Sequence, residues 1–221
     1  MTAAGVDQAR PGAAPVPPAR PGAAGLRLLG LFLVSRRVPT ALGVLVGLGA
    51  LLWAELHWHW NVAGGPEAQR VIPLVIEAGA AAVIAVASYG PFGEPERATG
   101  RWLPWLRLAS ALILTGAAVG ALAAGATGGY LPGGTLALVR DVAGMAGLGL
   151  LCAVALGGAF GWTGPLAYWL ITESALAAGW TTPWIWPGRP PRDTGAAICA
   201  GLVFAAGLAA FTLRGARASV R

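Results

Sequence analysis

The chain has 221 residues, 56% of them hydrophobic and 11% charged, against about 45–50% and 25% in soluble globular domains. Crossings of about 20 apolar residues each would fill most of that length and exclude a soluble catalytic domain of about 100 residues. All 15 basic residues are arginines, set against 9 acidic residues. They stand at the ends of apolar runs, which excludes a nucleic-acid footprint, and the absence of lysine excludes P-loop and Schiff-base chemistry.

Residues 1–25 carry Pro11, Pro15, Pro17, Pro18 and Pro21 among alanine and glycine. Such a segment cannot bury enough apolar surface to offset its ordering entropy, so a disordered cytoplasmic tail is expected. Residues 26–37, LRLLGLFLVSRR, are too few to cross a bilayer. They read as an interfacial helix with its arginines among the headgroups, or as an extension of the first span. A twin-arginine export signal at Ser35-Arg36-Arg37 fails on Pro39-Thr40 and on the lack of a cleavage site.

Six spans follow, at 38–56, 71–89, 106–124, 136–156, 162–179 and 195–213. The expected fold is therefore all-α: residues 26–221 form a polytopic membrane bundle of six transmembrane helices behind an N-terminal interfacial helix. With both termini cytoplasmic, nine arginines (27, 36, 37, 97, 101, 107, 214, 217 and 221) lie inside. Four (70, 140, 189 and 192) lie outside, which satisfies the positive-inside rule and fits the plasma (inner) membrane. The connection near Gly157-Gly158 is short, and a merged or re-entrant segment would hide there if the count were different.

Trp53, Trp58, Trp60, Trp180, Trp184 and Trp186 then fall at the outer surface and Trp102, Trp105 and Trp162 at the inner one, an aromatic belt. Cys152 and Cys199 lie within spans as small packers and form no redox or metal motif. The pairs Gly43/Gly47, Gly116/Gly120 and Gly157/Gly161 have the spacing that lets helices approach closely.

Chemistry-bearing groups are few, and neither a catalytic nor a cofactor-binding set emerges. His57 and His59 are two apart and diverge on a helix, so interfacial polar residues are a better reading than metal ligands. Glu77 and Glu173 lie inside apolar runs, where a central carboxylate costs about 2.5–3.5 kcal/mol and tends to be paired, protonated or facing water. Arg140-Asp141 opens the fourth span on the same side. Three readings stay open: a structural ion pair of Arg140 with Glu77 or Glu173, a polar lining of an outward-facing pathway formed by Glu77, Arg140, Asp141 and Glu173, or lipid-facing snorkelling near the span ends, as expected for Glu55. Two loops stand out. Residues 90–107 read GPFGEPERATGRWLPWLR, and residues 180–194 read WTTPWIWPGRPPRDT, too proline-rich for a straight helix and suited to short re-entrant or surface-lying pieces.

The order of a surface segment at 26–37, a charged loop at 90–107 and a broken external segment at 180–194 resembles the six-helix permease subunits of ABC exporters. The resemblance is one of topology and length. It implies that Phe92, Glu94, Glu96 and Arg97 touch a separate cytoplasmic ATP-binding subunit, which would hydrolyse the ATP, and that a second permease subunit, the same or different, completes the pathway. No cofactor of its own is implied, and the bilayer is the other partner. Two alternatives remain at this stage. One is a proton-coupled secondary transporter using Glu77 and Glu173, for which no convincing inverted repeat is visible. The other is a non-transporting membrane accessory or assembly protein.

Overall fold

A computed structural model describes residues 38–58, 68–88, 103–131 and 133–214. The expected tail, the interfacial segment 26–37, His59, Trp60, Trp102 and the candidate coupling residues Phe92, Glu94, Glu96 and Arg97 lie outside the described residues. Within these residues all regular structure is helical: α1 Val38–Trp58, α2 Ala68–Ala87, α3 Leu103–Gly125, α4 Gly134–Ala155, α5 Thr163–Ala177 and α6 Thr194–Arg214. Two 3₁₀ turns, Gly158–Phe160 and Trp186–Gly188, flank α5. A helix pairs its backbone groups internally, which hydrocarbon demands. The hydroxyls inside it follow suit: Ser88, Thr115 and Ser174 each donate to the carbonyl four residues back.

Five of these helices, all except α5, are long and apolar enough to cross a membrane. Large apolar side chains stand exposed along their outer faces, among them Val46, Leu112, Ile198 and Leu202. In water such continuous apolar surface would demand a partner; lipid chains satisfy it. The fifth, α5, has 15 residues, about 22 Å at 1.5 Å per residue, shorter than the expected span of 162–179.

The helices alternate in direction. Gly147 of α4 packs on Val203, Phe204 and Gly207 of α6, while Gly144, one turn earlier, packs on Ala200, so α4 and α6 run parallel. By the same reasoning α1 and α3 are parallel, Gly49 meeting Ala121 and Gly125 while Leu56 meets Gly129 further along both. Parallel α4 and α6 require the chain to return between them, and α5 with the segment after it makes that return. Gly157, at φ 106°, allows the turn out of α4. The connection at Gly157-Gly158 therefore separates two helices and hides no merged segment.

The centre of the bundle is α4, the most buried of the long helices. Its glycines let neighbours approach to backbone contact: a Cβ on Gly147 would stand 2.5 Å from the Phe204 Cα. Gly43, Gly47, Gly116 and Gly120 do not play this part. Each faces open space on the bundle surface, whereas Gly161 of the third expected pair packs against Ala85, Ala153 and Gly149, and further close approaches join Gly49 to Gly125 and Gly147 to Gly207.

Candidate functional site

The alternating directions bring the start of α2, the start of α4, the end of α5 and the segment before α6 to one end of the bundle. Between them lies a cavity of about 510 Å³, whose wall includes Arg70, Glu77, Asp141, Glu173 and Arg189. The carboxylates seen in three separate apolar runs thus share one space. Apolar wall is supplied by Leu74, Leu131, Leu176 and Pro187.

Each group reaches the cavity for a local reason. Glu77 lies nine residues into α2, about 13 Å along the axis at 1.5 Å per residue. It is 5% exposed, and its Oε2 has no hydrogen-bond partner among the described residues. Pro73, one turn before it, has no N–H to give the helix, so the first turns of α2 are free to bend beside the opening. Glu173, four residues from the end of α5, is only partly buried. Arg70 is exposed at the mouth.

Arg140 is 7% exposed, and each of its three guanidinium nitrogens makes a hydrogen bond. Its Nε donates to Asp141 Oδ1 at 2.9 Å, Nη1 to the Pro190 carbonyl at 3.0 Å and Nη2 to the Arg189 carbonyl at 3.3 Å. The expected ion pair of Arg140 with Glu77 or Glu173 is not formed. The guanidinium instead bonds its sequence neighbour and two carbonyls of the proline-rich segment, one of which, that of Pro190, also accepts the Asp193 N–H at 3.0 Å. Glu77 is left without that cation.

The proline-rich segment is clamped a second time. Arg189 donates from Nε to Asp193 Oδ2 at 2.7 Å and from Nη1 to the Thr181 carbonyl at 2.9 Å. Asp193 Oδ1 in turn accepts from the Ala196 N–H at 3.0 Å, capping α6. That backbone hydrogen bond, with the Arg189 guanidinium beside it, holds the Asp193 carboxyl below the usual range.

Sequence reasoning missed Trp186. Expected in the outer aromatic belt, it is 2% exposed and stacked on Tyr168 at a centroid distance of 4.3 Å. The Tyr168 hydroxyl donates to the Trp184 carbonyl at 2.7 Å, and the absence of a side chain at Gly144 makes the room, since a Cβ there would stand 2.7 Å from the indole. Ile185 is buried beside it, so the segment dips into the bundle and roofs the cavity from the α6 side. Trp53, Trp58, Trp105, Trp162, Trp180 and Trp184 do stand at the surface, as a belt requires.

Outside this end little chemistry gathers. His57 stacks on Trp53 at 4.5 Å and its Nδ1 donates to the Trp53 carbonyl at 2.9 Å, a local contact on α1. Among the described residues no three His, Cys, Asp or Glu side chains converge as metal ligands. Neither a family model, nor a curated protein, nor a solved structure matches the chain, so its function is read from the cavity and the bundle around it.

Proposed function

We propose that the chain is the membrane-spanning permease subunit of a transport system in the plasma (inner) membrane. It has six crossings, cytoplasmic termini and a cavity open to the outside. The observation that carries the reading is the cavity itself. A buried carboxylate with an oxygen that no hydrogen bond satisfies, at the base of an open space inside an apolar bundle, is costly as a structural element and useful as a place where a solute or ion docks. An accessory protein has no need of it.

For energy coupling, the resemblance to ABC exporter permeases supports a separate cytoplasmic ATPase docking on the loop that holds Phe92, Glu94, Glu96 and Arg97, with a second permease subunit completing the pathway. The parallel pairing of α4 and α6 supports the six-crossing arrangement that this family uses. Affinity purification of the tagged chain from its native membrane tests it. A cytoplasmic ATPase should co-purify and be lost when Glu94, Glu96 and Arg97 become alanine; its retention in the triple variant, or the absence of any ATPase, would count against the coupling.

A second reading, proton-coupled transport, is favoured by one observation: Glu77 is unpartnered where a proton carrier would need to be. It expects proton entry into vesicles holding this chain alone, under an imposed pH gradient, abolished by Glu77→Gln. The ATP-driven reading expects no such current without the ATPase.

A further inference from the structure

We propose that the cavity between α2, α4 and α5 binds an amphipathic organic cation, its ammonium against the Glu77 carboxylate and its apolar body against Leu74, Leu131 and Leu176. The inference rests on the permease reading and supplies its substrate class.

Charge selects the cation. Of the charged groups around the space, Asp141 is already bonded by Arg140, and Arg189 is bonded by Asp193 and the Thr181 carbonyl. Arg140 is not part of the cavity wall, and its Nη1 and Nη2 each donate to a backbone carbonyl of the proline-rich segment. The buried guanidinium is thus held by Asp141 and by the proline-rich segment and is turned away from the cavity wall, which leaves an anion no buried cation there. Arg70 is exposed and hydrated, and an exposed charge contributes little. Glu77 is the reverse case: buried, acceptor-only when ionised and short of a donor. An ammonium brings three donors and the opposite charge. Glu173, nearer the open end and on the facing helix, gives the cation a first carboxylate on the way in.

Volume and wall select an organic body. A proton needs no space, yet the cavity holds about 510 Å³, within the roughly 300–1,000 Å³ of organic-ligand pockets. A metal ion needs several converging ligands, and among the described residues no such group exists. Leucine and proline walls gain from covering an alkyl or aryl group and offer nothing to a hydrated ion.

Hexylammonium is the probe, with hexanol and hexanoate as its neutral and anionic counterparts. Binding is measured by titration calorimetry on the purified full chain in nanodiscs of phosphatidylcholine and phosphatidylglycerol. Hexylammonium should bind saturably and the counterparts should fail to displace it. Glu77→Gln should weaken binding at least about 10-fold, the loss expected of a buried charge-assisted hydrogen bond. Glu173→Gln, at a partly exposed position, should weaken it about 3-fold. Hexanol binding as tightly as hexylammonium, or unchanged affinity in Glu77→Gln, overturns the proposal. Should Glu77→Gln fail to fold, the wild-type charge series and Glu173→Gln decide alone. A lipid headgroup amine is the other source of the same chemistry. It would purify with the chain as bound phosphatidylethanolamine that hexylammonium displaces, whereas a free solute leaves no such lipid. Charge-selective binding without any movement of the probe, either across vesicles that also hold the co-purified ATPase and ATP or across vesicles of the chain alone under a pH gradient, would defeat the permease reading and leave the site standing. Loss of charge selectivity would defeat the site and leave a permease for another solute.

Discussion

Arg140 and Asp193 hold the proline-rich segment by different physics, and they respond to different perturbations. Arg140 and Asp141 form a buried pair, and removing one member strands the other. Arg140→Met should therefore lower stability by about 3–5 kcal/mol, while Arg140→Met with Asp141→Leu should recover most of it because no orphan charge remains. Thermal unfolding of the wild type and the two variants in one detergent checks this. Lysine is no substitute at position 140, since a point charge cannot bond Asp141 and two carbonyls together. Asp193 is a pH-dependent clamp. Its folded pKa lies below its unfolded value, so its stabilising contribution is complete above the ordinary carboxylate pKa of about 3.9 and is lost as pH falls through the folded value. Hydrogen exchange across residues 181–193 should rise on acidification below about pH 4, and Asp193→Asn should remove most of that acid dependence. The charges of this end were legible from the sequence because acidic residues stand out in apolar runs. Their pairing was not: the partner of Arg140 depends on carbonyls some fifty residues away.

At the scale of helices, close packing and lipid exposure are divided among glycines that look alike in the sequence. Gly43 and Gly147 both sit in apolar helices rich in small residues, yet one meets open space and the other the backbone of Phe204. Gly147→Leu should force α4 and α6 apart. The cost should exceed the 1–3 kcal/mol typical of overpacking, because backbone cannot move aside as a side chain can. Gly43→Leu should stay within about 0.5 kcal/mol. Melting temperatures of the two variants in detergent make the comparison. Helix positions were legible because each run is long and apolar: the first span was expected at 38–56 and α1 is Val38–Trp58. The inward faces were not. Along these helices apolar residues point to both protein and lipid, so periodicity carries no signal about which side is the core. Trp186 shows the same limit, since a tryptophan near a helix end satisfies an aromatic belt and a buried stack equally well until Gly144 and Tyr168 are seen beside it.

For the whole molecule, the decisive quantity is the number of crossings, because it sets which side the cavity faces. Five helices reach the spanning length, and five crossings would put the termini on opposite sides. The parallel run of α4 and α6 argues otherwise. Arg140, near the start of α4, bonds the carbonyls just before α6, and Gly147 and Gly207 meet further along both. On the proposed six-crossing reading, the chain comes back across between them. On that reading α5, roughly 22 Å long, is extended by the segment at 180–194, which is buried at Ile185 and Trp186. Where the positive-inside rule puts the sequence's nine flanking arginines (27, 36, 37, 97, 101, 107, 214, 217 and 221) in the cytoplasm, the cavity should open outside. In a background where Cys152 and Cys199 are serine, Thr182→Cys should react with a membrane-impermeant maleimide in intact cells. Phe160→Cys, exposed on the α4–α5 turn at the opposite end, should react only after lysis. The reverse pattern would turn the cavity toward the cytoplasm, making it a site for loading from inside. Labelling of both positions from outside would mean that α5 does not cross, and the cavity would then lose the wall that brings Glu173 to Glu77.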